Sequence, residues 1–288
     1  MRREQRGNVV ASRDIPRNMR GEGLKEFAKI LDKLAYSRRR EEVFSDWAAM
    51  AAWSISNSIE RMQEVEEQYL RVAEKYTAEE LSLHARMIAI VVNELEAEPR
   101  DVLGELYMGA NLGKEQAGQF FTPFSISRMM AGFHLGSIEE RKGRIISVSD
   151  PACGSGGTLV AMALAMLDAG VNYQYWAYFE AQDIDPLCCR MAYIQLALLG
   201  MPAAIICGDT LAMRRDWIMY TPQYHIALTG IRLSAQRTNE IARALVGSVP
   251  EAATEAVARA IEDTETKEDK KPFDVTLGPQ LDLFGAAV

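Results

Sequence analysis

Cysteine and histidine are scarce in this 288-residue chain, with four of the first and three of the second. No two cysteines stand as C-x-x-C, and His84, His134 and His225 share no ligand spacing. Cys153, Cys188, Cys189 and Cys207 therefore predict neither a zinc site nor a disulfide framework, and no metal is expected. No apolar run reaches the roughly 18 residues of a membrane span, and no signal-peptide pattern opens the chain, so the expected location is the cytoplasm. Excess positive charge is missing as well. Lys and Arg number 32 against 40 Asp and Glu, and a net charge of −8 excludes a global attraction to DNA or to acidic membranes. The local exceptions are residues 1–21 and "SRRR", Ser37 to Arg40. They read as a frayed, solvated arm or as a phosphate-contacting one.

What the chain does have is material for a core. Hydrophobic residues make up 48% and charged residues 25%, the balance of an ordinary globular protein. Residues 1–100 predict a helical domain behind the basic arm. "EGLKEFAKILDKLA" puts Leu24, Phe27, Ile30, Leu31 and Leu34 on one stripe. "TAEELSLHARMIAIVVNELEAEP" opens with a capping box, Thr77 to Glu80, and His84 within it reads as a partly buried packing residue.

From residue 101 the pattern changes. "DVLGELY" opens a helix, and "GQFFTP" is a loop before another. Strands at "RIISVS", "YWAYFEAQD", "AAIICGD" and "YHIALTG" then alternate with helices at 156–169 and 186–199. Such alternation predicts a parallel sheet with helices on both faces and all strand C-termini on one edge. The fold class is α/β, a helical domain followed by a partial Rossmann-like core over residues 101–233. Residues 234–263 read as alanine-rich helices, and 264–288 as a charged, flexible tail with no strand after Thr229.

The most informative stretch is "SVSDPACGSGGTL", Ser147 to Leu159: a strand, an acidic residue, a glycine turn and a helix start. Gly154, Gly156 and Gly157 permit a close approach and positive φ, and a helix N-terminus follows. A phosphate loop needs Lys-Ser/Thr after its last glycine, where this chain has Thr158-Leu159. The second strand ends at Asp183, placed to accept ribose hydroxyls, with Ile184 beside it to pack on a base. The third ends at Asp209, placed to accept an adenine amino hydrogen. Each aspartate alone reads as a turn or helix cap. In this order, beside one glycine turn, they suit an adenosine with a cationic attachment better than a polyphosphate.

These residues carry a resemblance. "DPACGSGGTL" is similar to motif I of the adenine-N6 DNA methyltransferases, and "GQFFTP", Gly118 to Pro123, resembles motif X of the modification subunit of type I restriction–modification systems. "AQDIDP" and "CGDTL" match the next two cofactor motifs in order. The resemblance implies S-adenosylmethionine as ligand. It puts Phe120, Thr122 and Pro123 at the methionine end and Asp150, Ala152, Gly154 and Gly156 around the loop. Asp183 would take the ribose and Asp209 the adenine amino group.

The family pattern then breaks. Its Asn/Asp-Pro-Pro-Phe/Tyr loop, which holds the target amine and stacks on the flipped base, has no match here. Spacing after "GDTL" points to "GIRL", Gly230 to Leu233, as its replacement. The other placement is "TPQY", with Thr221, Pro222 and Tyr224 as weak catalytic candidates. The first is preferred, because "YHIALT" reads as the better strand. The target-base half of the sheet and a target-recognition region also read as missing. The resemblance is thus to a degenerate member that binds the cofactor but is not expected to methylate DNA alone. The alternative is an active adenine-N6 methyltransferase, alone or completed by a partner subunit. Restriction–modification subunits and DNA are the implied partners. Finally, "QLDLF" resembles the pentapeptide by which bacterial replication proteins bind the sliding clamp. Gln280, Leu281, Leu283 and Phe284 would make that contact, unless the tail folds back on its own domain.

Overall fold

The computed structural model describes residues 21–112, 121–141, 145–227 and 281–282. The N-terminal layer is four helices, α1 (Glu22–Leu34), α2 (Arg40–Glu60), α3 (Gln63–Ala73) and α4 (Ala78–Ala97). The predicted stripe of α1 is buried at every position, from Leu24 to Leu34. Thr77 and Glu80 form the reciprocal capping box expected of them. His84 is fully packed, edge-on to Tyr76 at 4.4 Å, and neither ring nitrogen has a partner. Burial pushes its pKa down to about 4, so the ring is neutral.

Helices α5 (Val102–Gly109), α6 (Phe124–Gly132) and α7 (Leu135–Glu140) lead into the sheet. Strand β1 (Ile146–Asp150), helix α8 (Gly157–Asp168), a single turn α9 (Tyr173–Trp176), β2 (Ala177–Asp183), α10 (Pro186–Leu198) and β3 (Ala203–Cys207) follow in the predicted order. The chain continues with β4 (Trp217–Tyr220) and, far along it, β5 (Leu281–Asp282). The sheet order is β4-β3-β2-β1-β5, parallel throughout except for the antiparallel β3–β4 pair. This is a partial Rossmann-like sheet, as the pattern implied.

The steps β1 to β2 and β2 to β3 run in one direction, so right-handed crossovers put α8 and α10 side by side on one face, with α6 and α2 behind them. Two expectations change. The fourth strand is not "YHIALTG". Residues 222–227 are helical, and the strand is "WIMY", which turns back antiparallel along β3 from Cys207↔Trp217 to Ala204↔Tyr220. Lastly, the segment read as a strandless, flexible tail gives two residues to the sheet: Leu281 pairs with Val148 and Asp282 with Ser149, parallel to β1.

One hydrophobic core runs from Leu24 through Trp47, Leu103, Leu159 and Tyr193 to Cys207. The change at residue 100 is therefore one of architecture, with continuous packing across it. A chain of ring contacts, Trp47 to Phe44 at 5.5 Å, Phe44 to Tyr107 at 6.1 Å and Tyr107 to Phe121 at 5.2 Å, leads from the helical layer to the strand tips.

Candidate functional site

Parallel strands leave their last peptide groups at one edge, and here the three turns beyond β1, β2 and β3 are tied together. Gly154 N donates to Asp183 Oδ2 at 2.9 Å, and Cys153 N to the Gln182 carbonyl at 2.9 Å. Gly208 N donates to the Asp183 carbonyl at 2.9 Å, and Thr210 Oγ1 to the Pro151 carbonyl at 2.6 Å. Asp183 also accepts from Asp185 N through Oδ1 at 2.9 Å. A carboxylate held by two backbone donors has a fixed direction and keeps acceptor capacity for a ligand.

Between the tips lies an open cavity of about 480 Å³, within the range of small-molecule sites. Phe121, Pro151, Ala152, Gly154, Asp183 and Asp209 are among its walls. Ile184 and Leu211 stand on its rim 61% and 97% exposed, where a planar apolar ligand would cover them. Below it a pocket of about 70 Å³ shares Phe121, Ala152 and Gly154 and adds Thr122, Asp150 and Ser155. Cys188 also lines the larger cavity, and burial raises its thiol well above the ordinary range, with Asp183 and Asp185 adding to the effect. It stays protonated and is no nucleophile.

A sequence model of the N-6 DNA methylase family matches residues 98–241, half of the chain. The chain belongs to this family. A curated relative, the methylase subunit of a type I restriction enzyme from Methanocaldococcus jannaschii, is 27% identical over 142 residues, covering 45% of this chain and 24% of that protein. The chain thus spans about a quarter of that relative's length. Two solved structures are similar at a low level. A class I S-adenosylmethionine-dependent methyltransferase from Listeria monocytogenes has 20% identity and a TM-score of 0.38, over 67% of this chain and 55% of that one. A type I restriction–modification methyltransferase subunit from Streptococcus thermophilus has 18% identity and a TM-score of 0.32, over 67% and 44%.

Against this family's motifs, Thr122, Ala152, Gly154, Asp183, Ile184 and Asp209 come together around the two cavities. Asp150 is buried, accepts from Ala152 N at 3.1 Å and from Thr158 Oγ1, and so shapes the methylase-type turn from below. Gly156 does not line the larger cavity. It has φ 89° and faces α10, where a Cβ would lie 2.9 Å from Leu196 Cδ1. Pro123 is the N-cap of α6, and Phe120 lies outside the described residues. The aromatic that touches both cavities is its neighbour Phe121, whose ring sits 2.9 Å from where a Gly154 Cβ would be. The doubled phenylalanine of "GQFFTP" was the sequence signal for an aromatic at this place.

The acceptor-loop candidates fare differently. Gly230 to Leu233 lie outside the described residues. Thr221, Pro222 and Tyr224 follow β4, and because β4 runs antiparallel they fall at the opposite edge of the sheet. Thr221 is fully buried, and its hydroxyl accepts from Ala203 N at 2.9 Å and donates to the Met201 carbonyl at 2.6 Å. Tyr224 stacks on Tyr220 at 4.5 Å. The structure does not bring these three residues to the cavity. Their polar and aromatic surfaces hold the far edge together.

Proposed function

We propose that this chain binds S-adenosylmethionine at the strand tips and does not by itself transfer the methyl group to DNA. The observation that carries the first half is the cavity edged by Asp183 and Asp209 beside the Gly154 turn. The donor set fits the group: two carboxylates for ribose and adenine, exposed Ile184 and Leu211 for the base, and Phe121 with Thr122 toward the methionine end. The anionic lining also suits a cation better than a phosphate. When bound, the cofactor would supply an electrophilic methyl on its sulfonium.

The second half rests on the missing acceptor loop. Transfer to adenine N6 needs an extruded base and an amine held in line with the methyl group, and both need acceptors at the cavity mouth. The chain has no Asn/Asp-Pro-Pro-Phe/Tyr sequence, and the "TPQY" candidate sits at the other edge. Losing one such positioning group typically costs about 3 kcal/mol of barrier. DNA and further restriction–modification subunits are the proposed partners, and a partner that brings its own loop would make an active enzyme. Titration calorimetry with S-adenosylmethionine, paired with transfer of labelled methyl to DNA, tests both halves. Binding without transfer is expected, and robust adenine methylation by the purified chain would overturn the second.

The "QLDLF" sequence supports a second reading, docking to the sliding clamp. Leu281 and Asp282 are paired with β1, so the clamp would compete with the sheet for this strand. A clamp pull-down should lose the protein on replacement of Leu283 and Phe284 by alanine. Retention would end that reading.

A further inference from the structure

Asp101 makes more contacts than its place in the chain requires. It is the N-cap of α5 and accepts from Gly104 N through Oδ1 at 2.9 Å, as a cap does. Its second oxygen is aimed elsewhere: Oδ2 accepts from Ser155 Oγ, inside the glycine turn, at 2.7 Å. Gln195 on α10 closes the circuit. Its Nε2 donates both to Asp101 Oδ1 at 2.9 Å and to the Ser155 carbonyl at 2.7 Å, while its Oε1 accepts from Leu103 N at 3.0 Å. Gln195 is wholly buried and Asp101 is 4% exposed. Packing around the carboxylate is equally specific. A Cβ on Gly157 would lie 2.6 Å from Oδ2, and one on Gly104 would collide with the same atom. Gly157 has no positive φ, so its missing side chain is explained by the space Asp101 fills. One residue earlier, Arg100 donates to the Glu94 and Glu98 carbonyls and pairs with Glu94 and Glu105, which fixes the end of α4 to the start of α5.

We propose that Asp101 is a positioning residue of the cofactor site, a buried tether that holds the turn at residues 153–157 against the helical layer and α10. This deepens the cofactor reading above and rests on it for its effect on affinity. The tether sets where Gly154 N meets Asp183 and where Ala152 and Gly154 form the wall between the two cavities. Burial pushes the Asp101 carboxyl above the ordinary range, and the hydrogen bonds from Gln195, Ser155 and Gly104 oppose that shift. A helix cap alone would need neither Ser155 nor Gln195.

Asparagine and alanine at 101 separate the tether from the charge. Asn keeps Oδ1 for Gly104 and Gln195, and its amide can donate to Ser155 Oγ, whereas Ala removes every contact. Hydrogen exchange on the cofactor-free full chain should show the amides of residues 153–157 exchanging about tenfold faster or more in Asp101→Ala, with α4 unchanged. Asp101→Asn should stay within about threefold of wild type. Calorimetry with S-adenosylmethionine should show affinity reduced roughly 10–100-fold in Ala and nearly restored in Asn. If Asp101→Ala does not fold, Ser155→Ala serves, since it removes the side-chain tether and leaves the α5 cap intact. Loop exchange unchanged in the variant that folds, or equal loss in Asn and Ala, overturns the proposal. A wild-type chain that binds no S-adenosylmethionine defeats the proposed function instead, and the exchange data still decide the role of Asp101.

Discussion

The two edges of the sheet are built from similar residues and do opposite things. At the edge with the tips of β1 to β3, backbone N–H groups and carboxylates meet around open space, and Asp183 is steered by Gly154 N and Asp185 N with capacity left over. At the other edge the polar groups of Thr221, Tyr193 and His225 are bonded within the protein. Thr221 seals the start of β3, Tyr193 donates to the Tyr220 carbonyl at 3.4 Å, His225 meets Glu60 at 3.3 Å, and Tyr220 stacks on Tyr224. The lesson is about direction. Parallel strands gather their free termini on one side, and one antiparallel strand suffices to send a candidate loop to the other. Residue type alone would have made Thr221 and Tyr224 look as available as Asp183.

Substitutions at the two edges should separate binding from stability. The largest effect is expected from Asp183→Ala, which removes the carboxylate facing the cavity and leaves Gly154 N and Asp185 N without their acceptor. Loss of about 2–3 kcal/mol, roughly 30–150-fold in S-adenosylmethionine affinity by calorimetry, is expected. Unchanged affinity would mean that the open edge is not the cofactor site. Gly156→Ala comes next. A residue at φ 89° placed 2.9 Å from Leu196 Cδ1 is strained and crowded, so stability should fall by about 1–3 kcal/mol in urea unfolding. A neutral result would show that α8 and α10 are not locked at this crossing.

Much of the open edge was legible in sequence because its signals are local. Leu24 to Leu34 follow the helical period, and Gly154, Asp183 and Asp209 stand at the ends of short apolar runs whose type and order were readable. What was not legible depends on partners far away in the chain. "WIMY" and "YHIAL" are both short, apolar and β-branched or aromatic. The choice between them is made by pairing with β3 and by the Thr221 hydroxyl, about 20 residues beyond Met201 and Ala203. Asp101 reaches Ser155 and Gln195 across 54 and 94 residues, and no local pattern announces such a circuit. Leu281 and Asp282 carried the outline of a peptide motif, and the unpaired side of β1 that receives them is a property of the sheet.

Thr221→Ala tests the closed edge. It leaves the buried Ala203 N without its side-chain acceptor, and a loss of about 1–3 kcal/mol of stability is expected. Cofactor affinity should not move. A variant of normal stability that no longer binds S-adenosylmethionine would reverse the assignment of the two edges and restore "TPQY" to the site.

The smallest effect belongs to Asp209→Asn, and it sharpens the open edge rather than testing it. Oδ1 of Asp209 accepts from Ala212 N at 3.0 Å, a bond the amide oxygen of Asn can keep. What changes is the other atom, from an acceptor to a donor. If that atom faces an adenine amino group, two donors meet and affinity should fall by about 1 kcal/mol, roughly fivefold. A ligand with inosine in place of adenosine presents an acceptor at that position, so its binding should improve in the same variant. Opposite shifts for the two ligands in parallel calorimetry would place the base against Asp209. Equal shifts would confine Asp209 to capping the turn after β3, leaving Asp183 as the polar anchor of the cavity.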